Sequence, residues 1–254
     1  MQLELITKEV ATETTGWSGG NVGGIVLENC LVAIDTAHNN SKGREFRIAL
    51  EKEFGMPVGF TFLTHHHSDH AKGLDAFSDT TIISSEITAK KIRSLKSITT
   101  YPTVVFKNDY IIKDGQRQIQ LNRTGGHTID SSYLYDSKEQ VLFSGDLIFE
   151  GYLLFAGYKS NPLEWIDVLT RFKRLRPLFI IPGHGPIIRN IKELEKHIYV
   201  IKSIVDCIGS MEADHLNLGD LTIPQRVKQV YNKAPADELT KWFYRTITSW
   251  RKRV

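Results

Sequence analysis

Residues 63–73 read LTHHHSDHAKG, which puts four histidines and one aspartate within six positions. Imidazoles and a carboxylate without any thiolate form a ligand set suited to a catalytic metal site; closed structural zinc sites often use cysteine. The apolar run PVGFTFLT that leads into them reads as a strand, in which side chains two apart point the same way. In that phase His65 and His67 face one point, and His66 faces the other side and is not expected to ligate. Asp69 and His70 follow after the chain has turned and can aim at a second point nearby. Two histidines with a separate Asp–His pair suit two metal ions better than one.

A site built at the end of one strand needs further ligands at the ends of others. Three stand in a repeated context of strand followed by glycine: His127 in TGGHT after RQIQLNR, Asp146 in LFSGDL after QVLF, and His184 in IIPGHGP after LFII. Glycine lets the backbone bring a side chain close to an ion. Any one of them alone reads as a polar turn residue; the shared context is what argues for function. Ser144 in SGD lacks the glycine pattern of a nucleophile elbow and is not expected to act as one.

The elements that must carry these residues are short. NVGGIVLE and CLVAIDT read as adjacent strands turning at Glu28–Asn29. SKGREFRIALEKEFG reads as a helix stopped by Gly55, with Phe46, Ala49 and Leu50 on one face. SSEITAKKIRSL is a second helix, capped by Ser84 or Ser85. The strands TVVF, YIIKD, RQIQLNR, SSYLYD and QVLFSGD follow, then the helix NPLEWIDVLTRFKRL and the buried strand LFIIPGHGP. Neighbouring strands lie too close in sequence for each to need a helical crossover. The expectation is α/β with two mixed sheets. From Asn190 onward the pattern is helical, which divides the chain into 1–190 as the catalytic part and 191–254 as a helical extension packed on it.

The order H-x-H-x-D-H (His65, His67, Asp69, His70), then His127, Asp146 and His184, with Asp35 closing the strand in VAIDT, resembles the metallo-β-lactamase superfamily over roughly residues 20 to 190. The resemblance implies an αββα sandwich with the metals at one edge, between the sheets. It assigns His65, His67 and His127 to one metal, and Asp69, His70 and His184 to the other. Asp146 would bridge them, and Asp35 would orient ligands through hydrogen bonds. Catalysis would run through a hydroxide shared by two divalent ions, with Asp69 and Asp146 as the catalytic carboxylates; zinc is the first expectation, iron or manganese the alternatives. An aspartate at position 146 is similar to glyoxalase II and related thioesterases, rather than to true metallo-β-lactamases. Phe149 stands near the place where acyl-homoserine lactonases carry a tyrosine, and EGYLLFAGYKS departs from the persulfide dioxygenases.

The expected reaction is hydrolysis of an ester, thioester or related acyl bond of a small molecule. The alternative is a phosphodiesterase or endoribonuclease acting on single-stranded RNA, from a weaker similarity of the tail to a subgroup with a winged-helix-like segment. Lys241, Arg245, Arg251, Lys252 and Arg253 could track phosphates, although a solvated helix face is the plainer reading. The stripe Leu239, Trp242, Phe243, Ile247 and Trp250 follows one helix face and reads as packing. Tyr152, Phe155 and Tyr158 are candidates for the substrate pocket, built by the loops WSGGNVGG and FEGYLLFAGYKS. The chain of 254 residues is 41% hydrophobic and carries a formal charge of +3, too mild to demand a nucleic-acid partner. No membrane span, no signal peptide and no disulfide between Cys30 and Cys207 are expected, which suits a reducing cytoplasm. Both cysteines read as small core residues. The oligomeric state stays open, a homodimer included.

Overall fold

The computed structural model describes residues 1–14, 19–157 and 159–254. Two mixed β-sheets lie face to face. The first has seven strands in chain order: β1 (Glu4–Thr7), β2 (Val10–Glu13), β3 (Val22–Val26), β4 (Leu31–Ile34), β5 (Val58–Phe62), β6 (Thr81–Ser85) and β7 (Val104–Phe106). Pairing is antiparallel from β1 to β4 and parallel from β4 to β7. The second sheet has five: β8 (Asp109–Asp114), β9 (Arg117–Arg123), β10 (Ser132–Asp136), β11 (Val141–Phe149) and β12 (Phe179–His184). It is antiparallel except for the β11–β12 pair.

Period-two alternation explains the layering. In β4, Val32 and Ile34 enter the core between the sheets, and Leu31 and Ala33 face outward onto Phe46 and Leu50 of α1 (Asn40–Phe54). In β11, Val141 and Phe143 face the first sheet, and Leu142 faces outward to Trp165, Leu169 and Phe172 of α4 (Pro162–Leu175). Strands apolar on both faces must be covered on both, and the result is the expected αββα sandwich. α1 is capped by the Asn39 side chain on the amide of Lys42 and ends on Gly55 in the left-handed region at φ 65°.

Several local features differ from the sequence reading. The β1–β2 hairpin was not expected, because two four-residue strands give too short a pattern to see. The turn after β5 forms a one-turn helix, α2 (Ser68–Ala71), ahead of α3 (Glu86–Ile92), which Ser85 caps. Cys30 and Cys207 are free thiols, partly exposed at the edges of the cores rather than inside them.

The tail forms α5 (Leu194–Ala213), α6 (Gln225–Val230) and α7 (Ala236–Trp250). Its Ile204, Phe243, Ile247 and Trp250 are buried in the same cluster as Leu147, Trp165 and Phe172. Trp250 Nε1 donates to Ser160 Oγ at 2.7 Å, and Trp242 Nε1 to the Leu154 carbonyl at 2.7 Å. Among the described residues no helix is long and apolar enough to cross a membrane.

Candidate metal centre

The parallel strands β4 and β5, together with β11 and β12, deliver their C-terminal ends to one edge of the sandwich. Asp35 follows β4, His65 and His67 follow β5, Asp69 and His70 ride on α2, and His184 ends β12. His127 stands in the loop between β9 and β10. Asp146 lies within β11, where the register against β12 shifts around Gly145. Gly145 sits at φ 51°, and a Cβ there would lie 2.8 Å from the Thr64 side chain. Glycine is required at that kink, and the kink turns Asp146 into the site. A Cβ on Gly183 would lie 2.1 Å from Asp146 Oδ1, so β12 can pass the carboxylate only as bare backbone.

The seven side chains form two groups that share one carboxylate. Asp146 Oδ2 lies 3.5 Å from His65 Nε2, 3.9 Å from His67 Nδ1 and 3.2 Å from His127 Nε2. Asp146 Oδ1 lies 3.0 Å from His70 Nε2 and 3.4 Å from His184 Nε2. Asp69 Oδ2 completes the second group, 3.2 Å from His184 Nε2 and 3.7 Å from His70 Nε2. Ligand atoms about 2.0–2.2 Å from a tetrahedral ion stand about 3.3–3.6 Å from one another. The spacings within the two groups run from 3.0 to 3.9 Å and bracket that figure.

Hydrogen bonding gives an independent test of fit. His65 Nε2, His70 Nε2 and Asp146 Oδ1 are buried without a hydrogen-bond partner among the described residues. Buried polar atoms are normally satisfied, and orphans converging from both groups suit cations between them. Asp35 orients the ring of His70: its Oδ2 accepts from His70 Nδ1 at 2.8 Å and from the Thr64 hydroxyl at 2.8 Å. Thr64 Oγ1 in turn lies 3.0 Å from His65 Nδ1. Asp35 holds φ 58°, a left-handed conformation that aspartate tolerates better than most residues.

Burial and the nearby carboxylates set the charge of these side chains in opposite directions. Burial drives the His65 imidazole down to about 3, and pushes His127 down as well, leaving both neutral with lone pairs to offer. Burial also opposes charge on His70 and His184, but there carboxylates prevail. Asp146 and Asp35 raise His70 well above the usual range, and Asp146 with Asp69 raises His184 to about 9. Asp146 is likewise opposed by burial, yet the charges of His70 and His65 and the close approach of His127 and His184 hold it well below the carboxylate range.

The centre opens into a cavity of about 380 Å³ lined by His67, Ser68, Asp69, Asp146, Phe149, Phe155 and His184. Phe149 stacks on His184 with the rings 5.2 Å apart, and Phe155 lies edge-on to His67 at 6.2 Å. The Arg245 guanidinium of α7 sits 5.7 Å from the Phe155 ring centroid. Of the candidate pocket residues, Phe155 is at this mouth. Tyr152 lines a different and larger cavity, about 690 Å³, bordered by Phe149, Lys196, His197 and Tyr231. Tyr158 lies outside the described residues, as do 17 and 18 of the WSGGNVGG loop. Ser144 is buried and its hydroxyl is bonded to the carbonyl of Gly145.

His66 turns away from the groups, and its ring bonds Asp130 at 3.1 Å. Asp130 escaped the sequence reading, as did Asn21. The Asn21 amide donates to the carbonyls of Pro182 at 2.9 Å and Gly185 at 2.8 Å, bracing the chain on both sides of His184. Neither residue lies in a spacing pattern that suggests ligation. An acid three residues after His127 was the one available signal.

The profile of the Metallo-beta-lactamase superfamily matches residues 15–184. A hydroxyacylglutathione hydrolase of Nitrobacter winogradskyi is 30% identical over 181 residues, covering 69% of this chain and 67% of its own length. The Beta-lactamase-like protein 2 homolog of Caenorhabditis elegans is 28% identical over 136 residues, 54% of this chain and 45% of its own. The acyl-coenzyme A thioesterase MBLAC2 of Bos taurus is 26% identical over 150 residues, 48% of this chain and 54% of its own. The chain thus spans only about half the length of the last two relatives. Among solved structures, a metallo-β-lactamase from Pontibacter korlensis superposes with a TM-score of 0.68 at 22% identity, over 79% of this chain and 98% of that one, a likeness of fold. With a matched region that runs from the first sheet through the last histidine of the cluster, this chain belongs to the metallo-β-lactamase superfamily of metal-dependent hydrolases.

Proposed function

We propose that the protein is a dinuclear metallohydrolase that cleaves a thioester or related acyl bond of a small molecule. The observation that carries this reading is the carboxylate of Asp146, with three histidines on one oxygen and two histidines on the other. Such a carboxylate could serve a cation on each side. His65, His67 and His127 would hold one ion, and Asp69, His70 and His184 the other; zinc fits the nitrogen-rich first group best. When bound, the pair supplies Lewis acidity, which lowers the pKa of a shared water and polarises the scissile carbonyl.

The chain's own residues do the rest. The Asp69 side chain is 31% exposed and lines the cavity, so a water at the mouth can donate a hydrogen bond to it. Phe149 and Phe155 give the mouth of the centre an apolar wall. Arg245, held over Phe155 by α7, is placed to receive an anionic leaving group. That placement favours a thioester whose thiol part carries negative charge. Relatives named for hydroxyacylglutathione and acyl-coenzyme A substrates support the same chemistry.

A substrate panel tests the reading: zinc-loaded protein against S-lactoylglutathione, acyl-coenzyme A, a lactone, a β-lactam, bis-p-nitrophenyl phosphate and a labelled RNA oligomer. The thioesters should turn over fastest. Cleavage of the phosphodiesters alone would overturn the acyl-hydrolase reading in favour of RNA.

A further inference from the structure

Asp130 belongs to neither ligand group, yet it is 0% exposed and surrounded by donors. Its Oδ2 accepts from the backbone N–H of His66 at 3.0 Å and from the Thr88 hydroxyl at 3.0 Å. Its Oδ1 accepts from the Lys91 ammonium at 2.6 Å. His66 Nδ1 lies 3.1 Å from both oxygens and donates between them. The Asp130 carbonyl accepts from the Ser132 hydroxyl at 3.1 Å.

The placement of these partners is informative. His66 is the residue between His65 and His67, and Asp130 itself lies three residues beyond His127. Thr88 and Lys91 belong to α3, which contributes no ligand. The neighbouring Ser132 amide donates to the Thr64 carbonyl at 2.8 Å, so the two loops are joined a second time beside the first. One buried anion therefore grips the turn that carries two histidines, the loop that carries the third, and a rigid helix behind them.

We propose that Asp130 is a positioning residue for the three-histidine half of the centre: by holding the amide and ring of His66, it fixes the distance between the His65–His67 turn and the His127 loop before any ion arrives. The proposal rests on the metal-dependent reading above. The Asp69, His70 and His184 half is held by Asp35 and Asn21 and does not depend on it.

An alternative role, a buried ion pair that merely stabilises the fold, has a counterpart in the same molecule. Asp136 ends β10, is also 0% exposed, and pairs with Arg117 at 2.8 Å far along the strand from the histidines. Asp130→Asn and Asp136→Asn each remove one buried carboxylate charge. Zinc titrated against a chromophoric chelator should resolve two binding constants in the native protein. In Asp130→Asn one of them should weaken on the order of 10-fold, as for loss of an outer partner of a metal ligand, and the other should hold. In Asp136→Asn both should hold, whatever its melting temperature. Excess zinc should restore kcat in Asp130→Asn, because the ligands remain and only their spacing has loosened.

Native constants in Asp130→Asn, or equal losses in both variants, would overturn the proposal. Should Asp130→Asn fail to fold, His66→Ala keeps the backbone donor and removes the ring anchor. The same constant should then weaken by a smaller factor, with two ions still bound at saturation, and an unchanged constant overturns the proposal. If the native protein takes up no zinc, the metal-dependent reading falls and takes the proposal with it.

Discussion

Asp146→Asn is the sharpest perturbation available in the centre. The carboxylate is 4% exposed, and its two oxygens face different histidine groups. Asparagine has the same shape, but one of its two terminal atoms is an amide nitrogen, which donates and cannot ligate. Whichever way it turns, one group loses its shared oxygen, and the whole centre loses a negative charge. A unit charge pair at the 3.0 Å separation of Asp146 and His70 is worth about 5–6 kcal/mol gross at an effective dielectric constant of about 20. One oxygen survives in the variant, and desolvation of a buried charge is relieved, so the functional loss is smaller. It should be about 3–4 kcal/mol, or on the order of 10²–10³ in kcat, comparable to losing one preorganised charge stabiliser. Metal content should fall from two ions towards one. The acidic limb of the pH–rate profile should move to higher pH, because that limb reports the group that must be deprotonated. Metal content, kcat and the pH profile can be read on one preparation, with circular dichroism to confirm the fold. A variant that keeps two ions, full kcat and the native acidic limb would mean that Asp146 is only a strand residue, and the dinuclear reading would be refuted.

Three further outcomes are expected. His65→Ala or His67→Ala should lose an ion and nearly all turnover, whereas His66→Ala should retain two ions at saturating metal; equal loss in all three, by elemental analysis, would contradict the placement of the His66 ring on Asp130. Metal binding should release protons, since the metal-free protein holds His184 protonated with its pKa raised from 6.5 to about 9, where burial is outweighed by Asp146 and Asp69. That raised pKa stabilises the metal-free fold fully below about pH 6.5, and the contribution is lost as pH rises through about 9, so the melting temperature should fall across that window while zinc affinity climbs. Calorimetry in buffers of different ionisation enthalpy counts the protons, and none released at pH 7 would refute the scheme. Arg245→Ala should raise KM for a thioester with an anionic thiol part by roughly tenfold, within the value of a charge-assisted hydrogen bond, with kcat and the turnover of a neutral ester unchanged; a fall in kcat for both would place Arg245 in the fold rather than in recognition.

The sequence singled out all seven side chains that the fold brings together as candidate ligands, and the reason is local. Ligation needs particular atoms, a strand presents alternate residues to one side, and glycine marks the places where backbone must pass close by, as at Gly145 and Gly183. The short spacing between neighbouring strands pointed to two mixed sheets, and the family resemblance implied the helices that cover their outer faces, where α1 and α4 pack. His66 could be set apart from His65 and His67 by strand phase alone. What pairs across the fold was not legible. Asp130 meets His66 and Lys91 from 64 and 39 positions away, and Asn21 meets Pro182 from 161, separations over which no spacing rule operates. Tyr152 and Phe155 stand three apart in one loop, yet line different cavities: Tyr231 of the tail borders the first, and His67, Asp69 and His184 border the second. Ligand identity follows from the chemistry of single side chains; the shape of a pocket and the anions that brace it depend on which distant segments pack together, and only the tertiary structure decides that.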